Sequence, residues 1–187
     1  MKSYQITDYI HHFLEQHIES GDVCIDATMG NGNDTLKLCR LTGDTGKVYA
    51  FDIQPIALTH TRELLEKEKV IHIASLILDS HTHMDQYVEE ETVSCIMFNF
   101  GYLPSGDHAI STKADTSIHA VTKGLLLLKK GGIMTLCIYS GKDSGFEERD
   151  ALLEFLKHLD PTKYLVILSS YYNRPNHPPI PVLIVKK

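Results

Sequence analysis

The chain has 187 residues, of which 43% are hydrophobic and 22% charged, and a formal net charge of -6 at pH 7. This length predicts one domain over residues 1–187, and the composition is too apolar for a disordered chain. The acidic excess excludes a protein that binds nucleic acid over its whole surface, because phosphate contacts require lysine and arginine. A local basic patch remains compatible with this charge.

Short apolar runs alternate with amphipathic helical patterns along the chain. The spacing of apolar residues predicts helices over residues 4–18, 34–41, 55–67, 116–128 and 146–159. Gly131 and Gly132 are predicted to end the fourth of these helices. The apolar runs predict strands over residues 23–25, 48–51, 70–78, 93–98, 133–138, 164–171 and 181–185. Residues 100–113 are predicted to form a long loop.

This alternation of strands and helices favours one mainly parallel, doubly wound α/β sheet of about seven strands. The last two predicted strands have no helix between them, only a turn at residues 173–176. We therefore expect an antiparallel hairpin at one edge of the sheet. Ligands of such sheets bind at the carboxyl ends of the strands, near the switch in strand order, so the strand ends are where a site is expected.

The cysteines, Cys24, Cys39, Cys95 and Cys137, are far apart and form no CxxC pair. This spacing predicts buried, reduced thiols in a reducing compartment. Residues 1–20 lack the apolar segment of a signal peptide, and no run of about 18 apolar residues predicts a membrane span. We therefore expect a cytoplasmic protein.

Acidic residues follow the first three predicted strands. The first strand leads into residues 26–34, which contain Gly30 and Gly32 but lack the third glycine of the dinucleotide fingerprint. Asp52 ends the second strand, where a carboxylate can bond two ribose hydroxyls. Asp79 ends the third, either as a ligand contact or as a cap or turn residue. Together with Asp26 these carboxylates suit a ligand with an ammonium, a sulfonium, a ribose and an adenine amine, which S-adenosylmethionine combines.

The fourth strand ends in residues 99–104, Asn-Phe-Gly-Tyr-Leu-Pro. This segment resembles the (Asp/Asn)-Pro-Pro-(Tyr/Phe) corner of amino-group methyltransferases, with Phe100-Gly101 in place of Pro-Pro. In that corner an amide oxygen and a backbone carbonyl accept hydrogen bonds from an amine and aim its lone pair at the methyl carbon. An aromatic ring stacks on the base that carries the amine. The alternative is a turn with packed aromatic side chains.

Eleven histidines raise the question of a metal site. His81 and His83 lie two residues apart, and His11 and His12 are adjacent. There is no HExxH pattern, and no cysteine or acidic partner stands at zinc spacing. We predict that the protein holds no metal.

Several segments together resemble one small bacterial family of class I methyltransferases, long labelled as rRNA methylases. They occur in the family's order over nearly the whole chain, at residues 26–35, 51–54, 99–104, 106–108 and 173–176. Members of this family are similar to the enzyme that methylates the aminomethyl group of the tRNA wobble uridine. The resemblance implies a Rossmann-like class I methyltransferase fold, S-adenosylmethionine as cofactor and the tRNA anticodon loop as partner.

The resemblance also implies roles for single residues. The cofactor would be bound by Asp26, Thr28, Gly30, Asn31, Gly32, Asn33, Asp34, Asp52, Gln54, Asp79, Ser80 and His81. The catalytic residues would be Asn99, which orients the amine, Tyr102 and His108; His108, Asp107 or a water would take the proton. Independently of the resemblance, Lys113, Tyr139, Lys142 and Arg174 near the predicted mouth of the site are candidates for contact with the substrate, and Asp107 is a further one. Lys142 stands where family members often have a histidine, and its expected role is to meet a phosphate.

Three classes of function stay open at this stage. The first is a tRNA wobble methyltransferase, and the second is a methyltransferase for rRNA or a small molecule, which would share the cofactor half. The third is a nicotinamide-dependent dehydrogenase or a non-catalytic nucleotide-binding module, against which stand the missing glycine and the three carboxylates. Because no separate RNA-binding domain is predicted, RNA contacts must come from the catalytic face or from a second copy, and we expect a homodimer.

Overall fold

A computed structural model describes residues 6–100, 113–140 and 145–187. Seven strands of this part of the chain form one sheet in the order β3-β2-β1-β4-β5-β7-β6. Neighbouring strands are parallel except that β7 is antiparallel to both β5 and β6. The strands are β1 Val23–Asp26, β2 Lys47–Asp52, β3 Ala74–Leu78, β4 Val93–Phe100, β5 Leu128–Ile138, β6 Tyr164–Leu168 and β7 Ile180–Lys186.

Helices cover both faces of the sheet, because successive strand residues point to opposite sides. Cys95 and Met97 of β4 pack with the helices of one face, and Ile96 and Phe98 pack with those of the other. The first face carries α1 Ile6–His17, α2 Asn33–Thr42 and α3 Pro55–Lys67. The second carries α4 Ala114–Leu127 and α5 Gly145–Lys157.

The strand order confirms the predicted doubly wound sheet and its terminal antiparallel hairpin. From β1 the chain adds β2 and β3 on one side and then returns to place β4 on the other side of β1. The switch in strand order therefore lies between β1 and β4. Asp26 is the last residue of β1, and Asn99 is the second-last residue of β4. The site is expected in the crevice outside these two strand ends.

The end of α4 differs from the sequence prediction. The helix ends at Leu127, and Leu128 already has extended backbone and pairs with Val93 of β4. Gly131, with φ of 77°, lies within β5, next to a shift in register between Val93 and Cys95. The glycine pair therefore permits an irregularity of the strand and does not end the helix, and the prediction was wrong there.

Two further strand boundaries were predicted wrongly. The third strand begins at Ala74 and not at residue 70, because Ile71–Ile73 form a 3-10 turn before it. The sixth strand ends at Leu168, where its pairing with Val182 of β7 stops, and not at residue 171. A second 3-10 helix, His81–Gln86, was not predicted at all.

The cysteines agree with the sequence expectation. All four are buried and free, and burial raises the pKa of each thiol, as observed at Cys24, Cys39, Cys95 and Cys137. Within the described ranges, no helix is both long and apolar enough to cross a bilayer.

Candidate functional site

Asp26, the last residue of β1, is fully buried at the switch in strand order, where the crevice is expected. Its Oδ2 accepts a hydrogen bond from Thr35 Oγ1 at 2.6 Å, and its Oδ1 accepts from the Thr28 N–H at 3.2 Å. Burial, together with the neighbouring carboxylate of Asp34, raises the pKa of Asp26 to about 7, and Asp52 acts in the same direction. The floor of the crevice is therefore a place where negative charge is costly without a cation.

The turn after β1 is held close to α3. Gly30 and Gly32 have φ of 52° and 79°, which side chains other than glycine rarely adopt. The Thr61 hydroxyl of α3 donates to the Gly30 carbonyl at 3.2 Å. A Cβ atom on Gly32 would lie 2.9 Å from the Thr61 Cα, so the glycine also allows the turn to pack directly against the helix backbone.

Asp52, the last residue of β2, fixes this turn from the other side. Its Oδ2 accepts from the Gly30 N–H at 3.0 Å and its Oδ1 accepts from the Gln54 N–H at 2.9 Å. A carboxylate oxygen accepts more than one hydrogen bond, so both oxygens keep the capacity to accept a hydroxyl of a ligand. Among the other predicted cofactor residues, Asn31 and Asn33 are exposed and Gln54 is largely buried.

Asp79 and the residues after it form the start of the second 3-10 helix. Asp79 Oδ1 accepts from the Ser80 N–H at 2.7 Å and pairs with His83 Nδ1 at 2.8 Å. Oδ2 accepts from the Tyr87 hydroxyl at 2.9 Å, and the hydrogen bond from His83 holds the pKa of Asp79 below its usual range. Ser80 caps the helix by accepting from the backbone N–H two residues later. Asp79 thus braces this helix, whatever ligand contact it also makes.

His81 turns its ring back towards the first loop. Its Nδ1 lies 3.2 Å from the Ala27 carbonyl oxygen, which can only accept, so Nδ1 carries the proton. Burial lowers the pKa of His81, which favours the neutral ring. The ring also meets Phe98 edge to face, at 5.9 Å between centroids. A neutral, oriented imidazole beside the crevice suits contact with an uncharged heterocycle.

Asn99 lies within β4, one residue from its end, and not after the strand as the sequence predicted. Its backbone N–H donates to Thr28 Oγ1 at 2.7 Å, and its Nδ2 donates to Asp34 Oδ2 at 2.6 Å. Asp34 Oδ1 is bonded by His11 Nε2 at 2.6 Å. The structure therefore joins an α1 histidine, an α2 carboxylate and the strand asparagine in one chain of hydrogen bonds.

The described substrate-side candidates lie in segments next to α4, β5, β6 and β7. Lys113 is exposed and directly precedes α4, and Tyr139 directly follows β5, where burial raises its pKa to about 12. Arg174 lies between β6 and β7 with its guanidinium 4.6 Å from the ring centre of Tyr171. The remaining candidates fall outside the described residues: Tyr102, Asp107, His108 and Lys142.

The predicted strand-end residues lie along one edge of the sheet, and His11, which was not predicted there, joins them through Asp34. His11 stands 23 residues from Asp34, which stands 65 residues from Asn99, so no local pattern announces the contact. Within the described ranges, no group of three histidine, cysteine, aspartate or glutamate side chains gathers as a metal site requires.

Comparison with known proteins adds to this geometry. The family described as Putative rRNA methylase matches residues 48–185. The chain is 36% identical over 181 residues to an Arabidopsis thaliana protein named tRNA (mnm(5)s(2)U34)-methyltransferase, chloroplastic. This match covers 92% of the chain and 66% of the Arabidopsis protein, so the chain spans slightly less than two thirds of that relative.

Two solved structures resemble the chain over its full length. A Clostridium thermocellum protein described as a putative rRNA-methylase superposes with a TM-score of 0.96 at 43% identity, and each chain is covered completely. A Streptococcus mutans protein described as a putative methyltransferase, crystallised in complex with SAH, superposes with a TM-score of 0.89 at 39% identity, again over the whole of both chains.

Proposed function

Because this chain belongs to that rRNA methylase family, whose fold is that of the class I S-adenosylmethionine-dependent methyltransferases, we propose a specific reaction for it. The methyl group of S-adenosylmethionine is transferred to the amine of 5-aminomethyl-2-thiouridine at the tRNA wobble position. The observation that carries this proposal is the 36% identity to a tRNA (mnm(5)s(2)U34)-methyltransferase over 92% of the chain. An asparagine amide at the end of β4, the strand beside the switch point, supports an amine as acceptor.

The residues at the crevice fit S-adenosylmethionine by their charge. Burial and neighbouring carboxylates raise the pKa of Asp26, so a cationic ligand placed here removes an electrostatic cost. Asp52 retains acceptor capacity for the two ribose hydroxyls, and His81 offers a neutral ring for the adenine. When bound, the cofactor supplies a methyl group activated by a sulfonium.

The chain's own task in this transfer is alignment of the amine and exclusion of water. The Asn99 amide oxygen accepts a hydrogen bond from the amine and thereby directs the nitrogen lone pair. The amine must be neutral to react, so the pocket has to hold it without its extra proton. As the N–C bond forms, the C–S bond breaks with its electron pair going to sulfur. The proton then lost from nitrogen goes to His108, Asp107 or a water.

Recognition of the anticodon loop falls to side chains around the mouth of the crevice. Lys113 and Arg174 provide positive charge for phosphate, as would Lys142. Tyr139 is partly exposed and Tyr172 is fully exposed, which suits them to stack on unpaired bases. In this proposal the catalytic face itself contacts the anticodon loop.

A second acceptor, ribosomal RNA, is favoured by the description of the family that matches the chain. Methylation of ribosomal RNA would use the same cofactor-binding residues and would differ only in the nucleoside that contacts Asn99. Membership of a methyltransferase family disfavours the dehydrogenase and non-catalytic alternatives.

The experiment that tests the proposed reaction uses purified protein, S-adenosylmethionine and tRNA from cells that leave the wobble aminomethyl group unmethylated. Wild-type protein is expected to methylate this tRNA and not ribosomal RNA. Asn99→Ala is expected to lose about 100-fold or more of kcat, because the amine loses its orienting acceptor. Its affinity for S-adenosylhomocysteine should stay unchanged. Full transfer by Asn99→Ala would contradict the assigned role.

We also propose that the protein acts as a cytoplasmic homodimer. The support for the dimer is the small surface that one copy offers to an anticodon loop. Light scattering at micromolar concentration should give twice the mass of one chain. A monomer in the presence of tRNA would contradict the dimer.

A further inference from the structure

Helix α1 lies on the face of the sheet that carries the Asn99 side chain. Ile6, Ile10 and Leu14 are its buried residues, and they belong to the same core cluster as Cys95 and Met97 of β4. Because alternate strand residues share a face, Asn99 follows Cys95 and Met97 to that side. The first helix of the chain is thus packed beside the residue to which we assign orientation of the acceptor.

Two polar contacts join α1 to α2 side by side. His11 Nε2 lies 2.6 Å from Asp34 Oδ1, and Lys37 Nζ lies 2.5 Å from Glu15 Oε1. His11 and Glu15 are one turn apart on α1, and Asp34 and Lys37 are about one turn apart on α2. Glu15 is 44% exposed whereas Asp34 is only 11% exposed, so the histidine contact is the more sheltered of the two.

The hydrogen bonds that Asp34 accepts from His11 and Asn99 determine the orientation of the Asn99 side chain. A carboxylate only accepts hydrogen bonds, so both partners of Asp34 must donate. His11 therefore carries a proton on Nε2, and the NH₂ group of Asn99, not its oxygen, faces Asp34 at 2.6 Å. The Asn99 backbone is held separately by its N–H bond to Thr28 Oγ1. With its nitrogen committed, the amide directs its oxygen the other way.

We propose that His11 is a positioning residue: through Asp34 it holds the Asn99 carboxamide with its oxygen presented to the acceptor amine. Without the imidazole donor, one oxygen of a largely buried carboxylate is left unpaired, which favours rotation of Asp34. Asn99 then loses its fixed hydrogen-bond partner, and its side-chain amide can rotate by 180°. In the rotated amide the NH₂ group would face the N–H groups of the amine, and two donors cannot form a hydrogen bond. That the substrate group is an amine rests on the proposed function. The contacts among His11, Asp34 and Asn99 do not depend on it.

Three variants separate this role from simple docking of α1. His11→Phe keeps an aromatic ring but removes the donor to Asp34. His11→Gln places an amide N–H where Nε2 stood and should restore the contact. Glu15→Gln weakens the other α1–α2 contact and leaves the chain to Asn99 intact, so it is the matched control for helix docking.

The first measurement needs no substrate. The side-chain amide resonances of Asn99, identified in nitrogen-15 spectra by their loss in Asn99→Asp, report its orientation directly. They should shift or broaden in His11→Phe and stay at their wild-type positions in His11→Gln and Glu15→Gln. Unchanged resonances in His11→Phe, or an equal change in Glu15→Gln, would overturn the proposal, because His11 would then only dock the helix.

The second measurement uses methyl transfer to tRNA. His11→Phe should lower kcat about tenfold, with the KM for tRNA and the Kd for S-adenosylhomocysteine within about twofold of wild type. Adding His11→Phe to Asn99→Ala should cost nothing further, because both changes act on one group. A wild-type kcat for His11→Phe, or full additivity in the double variant, would overturn the proposal.

Failure of the proposed function would look different. A wild-type protein that leaves the wobble uridine unmethylated contradicts the reaction assigned above. The Asn99 resonances then decide the positioning role alone, in either direction.

Discussion

Replacing the buried carboxylate of Asp26 by an amide should stabilise the protein by an amount that increases from pH 5 to pH 8. Burial raises the pKa of Asp26 from 3.8 to about 7. The raised pKa means that the folded protein holds a proton that the unfolded chain has already released. The stability linked to this group is complete below pH 4 and is lost as the pH rises through 7. A shift of this size corresponds to about 4 kcal/mol.

The variant Asp26→Asn removes the charge but keeps most of the shape. Its amide oxygen can still accept from the Thr28 N–H, and Thr35 can turn its hydroxyl to accept from the new NH₂ group, at a cost of about 1 kcal/mol. At pH 8 the variant should therefore be more stable than wild type by about 3 kcal/mol. At pH 5 the folded protein still holds this proton, but the unfolded chain has already released it, so about 1.5 kcal/mol of the cost is present. The stability of the variant should therefore lie within about 1 kcal/mol of wild type at this pH.

Urea unfolding of the ligand-free protein at both pH values measures this difference. The matched control is Asp160→Asn, because hydrogen bonds from Thr162 keep the pKa of this exposed carboxyl low and leave it charged at both pH values. Its effect on stability should not change with pH. An equal stability difference between Asp26→Asn and wild type at pH 5 and pH 8 would contradict the raised pKa of Asp26. Calorimetry should also find that the stabilised variant binds S-adenosylhomocysteine about tenfold more weakly, because the ammonium group loses a counter-charge.

Three further changes have defined outcomes. Asp52→Asn should weaken the binding of S-adenosylhomocysteine, measured by calorimetry, by about 10- to 100-fold. The reason is that the Gly30 N–H and the ligand hydroxyls lose a charged hydrogen-bond acceptor. Unchanged affinity would exclude Asp52 from the site. Gly32→Ala should lower the free energy of unfolding, measured in urea, by about 2–4 kcal/mol. The control Gly131→Ala is also at positive φ but has no atom within 4 Å of the added Cβ, so it should lower the free energy of unfolding by only about 1 kcal/mol. Equal losses would show that the contact of Gly32 with α3 is unimportant. Arg174→Ala should raise the KM for tRNA about fivefold and reduce its salt dependence, with kcat unchanged; a lower kcat at unchanged KM would contradict a role in docking.

The positions of the strand-end residues could be predicted because the alternation of strand and helix patterns in the sequence predicts a parallel sheet. Parallel strands bring their carboxyl ends to one edge, so Asp26, Asp52, Asp79 and Asn99 could be assigned to that edge from the sequence. The hydrogen-bond partners were not predictable in this way. Asp79 is turned to its own 3-10 helix, and Asp26 lies below the surface against Thr35.

The contacts that escaped prediction depend on packing between distant segments. The contact of His11 with Asp34 requires α1 to lie beside α2, and only the packed core determines that placement. The boundary between α4 and β5 falls inside the apolar run 125–128, where a helix and a buried strand have the same composition. The strand assignment at Leu128 follows from its pairing with Val93, which no local pattern indicates.

The most direct test of the proposed reaction is mass spectrometry of tRNA nucleosides from cells that lack this protein. These cells should accumulate 5-aminomethyl-2-thiouridine and lack its methylated form, and wild-type protein but not Asn99→Ala should restore methylation. Normal tRNA nucleosides in these cells, with a methyl group missing from ribosomal RNA instead, would contradict it.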